Sequence, residues 1–131
     1  MLQARRHIAL AGVLFCLILF LGCGGRSEVE INAGDSGGQV MLEMGQTLVL
    51  SLESNPTTGY GWEIAEIDEA ILKQIHHEYE PDRPILEGSG GRDIWHFRAE
   101  AKGRMTLTLN YLRPWEEAEP IQTFSVEVVV R

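Results

Sequence analysis

Four separate stretches of this chain alternate apolar and polar residues at period two, and that pattern limits what it can fold into. "TLVLSLE" (47–53) sets Leu48, Leu50 and Leu52 on one face, and "DIWHFRAEA" (93–101) does the same with Trp95, Phe97 and Ala99. "RMTLTLNYL" (104–112) aligns Met105, Leu107, Leu109 and Tyr111, and "TFSVEVVV" (123–130) aligns Phe124, Val126, Val128 and Val130. Successive side chains of a strand point to opposite sides, so each stretch reads as a half-buried strand with one face on a shared core. "VEINA" (29–33), "QVMLEM" (39–44) and "GWEIA" (61–65) add weaker strands. The segment "IDEAILKQIHHEYE" (67–80) is ambiguous, because Ile64, Ile67, Ile71 and Ile75 fit helical spacing. Its reading here is a short helical turn near Asp68–Ala70, then a strand from Ile71 to Glu80. Strands at short intervals with little helix indicate an all-β antiparallel sandwich.

The connections sort by length. If successive strands reverse direction, the short joins at Gly45-Gln46, Glu66–Ala70 and Lys102-Gly103 share one end. The long joins at 54–61, 81–92 and 113–120 then share the other. A scaffold with three elaborate loops at one end is laid out for recognition.

Each loop has its own chemistry. In "SNPTTGYGWE" (54–63), Asn55 suits an Asx turn, Pro56 fixes φ, and Thr57 and Thr58 are stiff at χ1, so the tip is narrow and rigid. "PDRPILEGSGG" (81–91) carries Gly88, Gly90 and Gly91, bare backbone that another chain can approach closely. "RPWEEAEP" (113–120) offers Trp115 just after Pro114, an indole of the kind that anchors interfaces. Taken singly, each loop is also explained as an ordinary turn, a flexible hairpin, or a lid on the core edge.

The chain is long enough for one domain, preceded by a targeting segment. Arg5 and Arg6 precede the apolar run "IALAGVLFCLILFLG" (8–22), which falls short of the roughly 20 residues that span a bilayer and fits a signal peptide. Gly22-Cys23-Gly24 matches a bacterial lipoprotein cleavage site, making Cys23 the lipid-bearing first residue. The expected divisions are a leader at 1–22, a tether with a weak first strand at 23–37, and a domain at 38–131. The expected location is the cell envelope, lipid-anchored and facing the periplasm or exterior, with secretion as second choice. Loss of 1–22 removes two arginines and no acid, taking the formal charge from −8 to −10. Such acidity argues against nucleic acid as a partner. With Cys16 in the leader and Cys23 lipidated, the domain has no disulfide and no thiol nucleophile.

Enzymatic chemistry is not expected. His76 and His77 are adjacent and would point to opposite faces, and His96 faces away from the core. No His or Cys spacing suggests a metal, and no cofactor is implied.

"NPTTGY", "GSGG" ahead of "WHFRA", and "YLRPWE" follow one another in an order and spacing that resembles the chagasin family of cysteine-peptidase inhibitors. The resemblance covers roughly residues 38–131. It implies an immunoglobulin-like sandwich that reversibly inhibits papain-like cysteine peptidases, its three loops entering the active-site cleft together, with no catalysis of its own. Asn55, Pro56, Thr57, Thr58, Gly59 and Tyr60 would form the central loop, with Thr57 and Thr58 over the peptidase's catalytic Cys–His pair. Gly88, Ser89, Gly90 and Gly91 would run beside the unprimed subsites, and Arg113, Pro114 and Trp115 would cover the primed side. The expected state is a monomer whose contact with membrane runs only through the lipid. The rival expectation is a non-catalytic envelope module binding carbohydrate or protein on the same sandwich.

Overall fold

The computed structural model describes residues 27–131, so the leader and Cys23 lie outside the described residues. Eight strands run β1 (Glu28–Asn32), β2 (Gln39–Leu42), β3 (Thr47–Ser54), β4 (Gly61–Glu66), β5 (Leu72–Pro81), β6 (Gly91–Ala99), β7 (Gly103–Leu112) and β8 (Gln122–Val130). They form two four-stranded sheets, ordered β1-β3-β6-β5 and β2-β8-β7-β4. Leu48, Leu50, Leu52 and Phe97 from the first sheet meet Leu107, Leu109, Phe124, Val126 and Val128 from the second, all fully buried. These are the residues that the alternation assigned to the core. Each such side chain contributes about 1.5–3 kcal/mol by leaving water, and the described residues contain no cysteine to form a disulfide.

The strands alternate in direction along the chain, but the sheets are not wholly antiparallel. β1 pairs with β3 in parallel, and β2 pairs with β8 in parallel. The cause is a change of layer between β1 and β2. Asn32 and Asp35 form a reciprocal capping box around a 3-10 turn at Ala33–Asp35, and the chain crosses there from one sheet to the other. β1 then finds its neighbour two strands later, running the same way. The expectation of an antiparallel sandwich is corrected at these two edges and holds for the other four pairings.

Between β4 and β5, Asp68 closes a turn by accepting from the backbone N–H groups of Ala70, Ile71 and Leu72. β5 then pairs with β6 along its length, with a bulge between Gln74 and His76. Pairing to a central strand overrides the helical spacing of the isoleucines, and Ile75, at the bulge, is left exposed.

The β2–β3, β4–β5 and β6–β7 turns lie at one end. There Gly45 N–H donates to the Ala99 carbonyl, and Glu100 N–H donates to the Ile71 carbonyl. The loops 55–60, 82–90 and 113–121 share the other end, because Ser54 and Pro81 both pair with Gly91, and Leu112 pairs with Gly61. The whole is an immunoglobulin-like β-sandwich.

Candidate functional site

The first loop leaves β3 at Asn55, whose extended backbone caps a 3-10 turn at Pro56–Thr58. Its side-chain oxygen accepts from the Thr57 N–H at 3.2 Å and the Thr57 hydroxyl at 2.6 Å. The Thr58 hydroxyl donates to the Asn55 carbonyl at 2.6 Å and receives the Tyr60 N–H at 3.3 Å. Gly59 ends the turn at φ 81°, a left-handed conformation that costs other residues energy. The exposed tip is thus braced by its own short polar side chains, and its order does not wait for a partner.

The loop is also tied to both neighbours. The Asn55 amide donates to the Gly88 carbonyl in the second loop at 3.1 Å. Arg113, at the start of the third, donates through Nε to the Thr58 carbonyl at 3.0 Å and lies 4.4 Å over the Tyr60 ring. Glu116 holds the same guanidinium from the other side at 3.0 Å. The Trp115 indole packs against Gly59, where an added Cβ would lie 2.9 Å from Cζ2 and closer still to Cη2. Below, the Tyr111 hydroxyl receives the Asn55 N–H at 3.0 Å, while its ring contacts those of Tyr60 and Trp62. Trp62 packs against the core and donates through Nε1 to the Glu53 carbonyl. Three loops from six strands therefore act as one braced unit.

Asn55→Ala removes the bridge to Gly88 and the cap on Thr57 together. The expected result is about tenfold weaker peptidase inhibition, equivalent to about 1.4 kcal/mol, together with a loss of about 1 kcal/mol of stability from the missing cap. A Ki series against a peptidase, paired with thermal unfolding, checks it.

The second loop is shorter than the sequence suggests. Asp82 N–H donates to the Gly90 carbonyl and closes it. Gly91 is a correction. It is a buried residue of β6 and not open loop backbone. A Cβ there would clash with the Glu80 carbonyl and come within 2.7 Å of Pro81 Cα, so glycine is needed for the fold's own strand pairing. A Cβ added at Gly90 would likewise lie only 3.0 Å from the Ser54 carbonyl oxygen. Gly88 (φ 78°) has open space around it. Gly91→Ala should lower the unfolding midpoint by about 5 °C, read by calorimetry, because backbone must move to admit the methyl.

Two site features escaped the sequence reading. Ile85 and Leu86, at the tip of the second loop, are each 62% exposed. Their signal was available, since two bulky apolar residues in a loop of turn-formers have no strand to belong to. The bridging role of Asn55 had no local signal, because its partner is 33 residues away.

The histidines serve the sheet. His77 stacks on Trp95 and places Nε2 2.8 Å from Asp93, while His76 meets His96 edge-on. Beside them, desolvation and the carboxylates of Asp82 and Asp93, with Tyr111, hold the Tyr79 phenol above its usual pKa. It stays a neutral hydroxyl through the physiological range. Among the described residues, no cluster of His, Cys, Asp or Glu could hold a metal ion.

Comparison with known proteins bears directly on this end of the molecule. Residues 41–128 match the family described as chagasin family peptidase inhibitor I42. Chagasin from Trypanosoma cruzi is 28% identical over 90 residues, covering 66% of this chain and 82% of chagasin. The crystal structure of the cysteine protease inhibitor EhICP2 from Entamoeba histolytica superposes with a TM-score of 0.73 at 22% identity, covering 79% of this chain and 96% of that one. PbICP-C, solved in complex with falcipain-2, superposes with a TM-score of 0.58 at 15% identity, covering 79% of this chain and 98% of its own. These last two likenesses speak for the shared fold, and the family match carries the assignment. The chain belongs to the chagasin family of peptidase inhibitors, and it is not an enzyme.

Proposed function

We propose that this domain reversibly and tightly inhibits papain-like cysteine peptidases by lodging its three-loop end in the active-site cleft. The observation that carries the reading is the cross-bracing of the three loops through Asn55, Arg113 and Trp115. A preformed end loses little conformational entropy on docking, which favours affinity. The first-loop tip, Thr57 and Thr58, would cover the catalytic Cys–His pair, with Gly88–Ser89 on the unprimed side and Arg113, Pro114 and Trp115 on the primed side.

Occlusion without cleavage follows from the same bracing. A thiolate attacks a carbonyl only from about 3–3.5 Å in an aligned approach. The Asn55 carbonyl already accepts from the Thr58 hydroxyl and N–H, and the Thr58 carbonyl is held by Arg113. The loop cannot unroll into an extended substrate without losing these bonds. The peptidase's thiolate–imidazolium pair would be covered and left chemically intact.

The sugar-binding alternative is less well served. Tyr60 is half-buried under Arg113, so among the described residues of the three loops Trp115 alone presents an exposed aromatic ring for stacking.

We further read residues 1–22 as a cleaved leader, Cys23 as lipid-bearing, and the domain as a monomer in the cell envelope. The test of inhibition without cleavage is prolonged incubation with papain followed by mass spectrometry and dilution. The reading expects an intact chain and recovery of full peptidase activity. A cut between Asn55 and Tyr60 would refute it.

A further inference from the structure

The chain enters the sandwich at the end opposite the loops. The Ser27 carbonyl receives the Thr47 N–H at 2.7 Å, and β1 then runs beside β3 from Glu28↔Thr47 to Asn32↔Ser51. β3 continues to Ser54, and the first loop begins at the next residue. From Thr47 to Ser54 the strand climbs about 23 Å at 3.3 Å per residue. Cys23 precedes Ser27 by four residues, a span that reaches about 14 Å even when fully extended. A tether folded straight back along the sheet would still end well short of the loop tips.

We propose that the domain stands upright on the membrane, its Ser27 end toward the lipid surface and its three loops facing away. This rests on the reading of Cys23 as the lipid-bearing residue. Cys23 reaches at most about 14 Å from Ser27, so the lipid is held at the end of the domain opposite the three loops and cannot be drawn to their tips.

The lower end suits that placement. Arg131 lies there with its guanidinium 3.6 Å from the Met41 sulfur, and Met41 and Met44 are 46% and 51% exposed. Arg104 is paired with Glu127 and Arg98 with Glu100, and the exposed acids Glu43, Glu66, Asp68 and Glu69 in the turns there are accompanied by Lys73 and Lys102, so the two signs of charge are mixed at this end. Loop three, by contrast, carries exposed Glu116, Glu117 and Glu119, which an anionic surface would push outward. The partner implied is a peptidase free in the compartment that the domain faces, bound at the far side of the domain from the lipid.

The test uses the full chain made with its own leader, purified in detergent and reconstituted into vesicles of phosphatidylethanolamine and phosphatidylglycerol. One variant, Glu43→Cys, places a fluorophore at the lower end, and another, Glu117→Cys, places it on loop three. Lipids carrying a headgroup-level quencher should dim the first strongly and leave the second unchanged. The inhibition constant for papain should agree within about threefold between vesicles and detergent, since a lipid at the far end leaves the association and dissociation rates governed by the same interface. Equal quenching of both labels would overturn the proposal, as would inhibition lost on vesicles and restored by detergent. A chain that fails to float with vesicles and has no lipid mass on Cys23 overturns the anchor and the orientation together. Inhibition absent in detergent as well faults the inhibitor reading, and the label pair then decides the orientation alone.

Discussion

Truncating Trp115 to alanine should weaken inhibition of papain about thirtyfold, a loss of about 2 kcal/mol. The indole is 68% exposed in the free domain, more than any other Phe, Tyr or Trp among the described residues, yet it is not loose. Its ring edge rests on Gly59, and its neighbour Arg113 is held by Thr58 and Glu116. An exposed aromatic that is already fixed offers a large apolar area at small entropic cost, which is what interface anchors do. Because the ring contributes little to the core, the substitution should shift stability by no more than about 0.5 kcal/mol. Inhibition constants and melting curves measured side by side separate these effects. A constant within about threefold of the wild type would remove Trp115 from the interface.

Gly59→Ala should weaken inhibition about tenfold or more and lower stability as well, through two distinct routes. The backbone at φ 81° costs a non-glycine residue about 1–2 kcal/mol, and that penalty falls on the fold. The new methyl also overlaps the far edge of the Trp115 ring. Since the ring is the mobile partner, it gives way and loses its preset position, and that penalty falls on binding. The two residues must therefore be coupled. In a Trp115→Ala background, Gly59→Ala should keep its stability cost and lose most of its effect on inhibition. Additive losses of inhibition in the double variant would mean that Gly59 does not act through the indole.

The parts of the fold that were legible in the sequence are those with one local cause. Leu48-Leu50-Leu52 and Phe124-Val126-Val128 could face only one way, so the strands and the core followed from alternation. Strictly reversing directions then sorted the loops to one end. The parallel edges were not legible, because they depend on whether the turn after Asn32 stays in its layer or crosses to the other. Nothing in "NAGDSGG" says which. The glycines of the second loop show a different limit. Gly88, Gly90 and Gly91 read alike in sequence, but Gly88 stands in open space, Gly90 fits under Ser54 and Gly91 is locked between paired strands. What a missing side chain is for depends on what lies within 3 Å of it, and these neighbours are distant in the chain. Asn55 illustrates the same point for the site. Its fitness for a turn was visible, and its hold on Gly88 was not.

The most direct measurement titrates papain with the folded chain at a fixed concentration of fluorogenic peptide substrate. The account predicts a linear fall to full inhibition at one inhibitor per active enzyme, reversed on dilution, and a more curved approach to the same endpoint for Trp115→Ala and Asn55→Ala. A chain with an intact cooperative melt that leaves papain and a cathepsin-L-type peptidase fully active at large molar excess would contradict it.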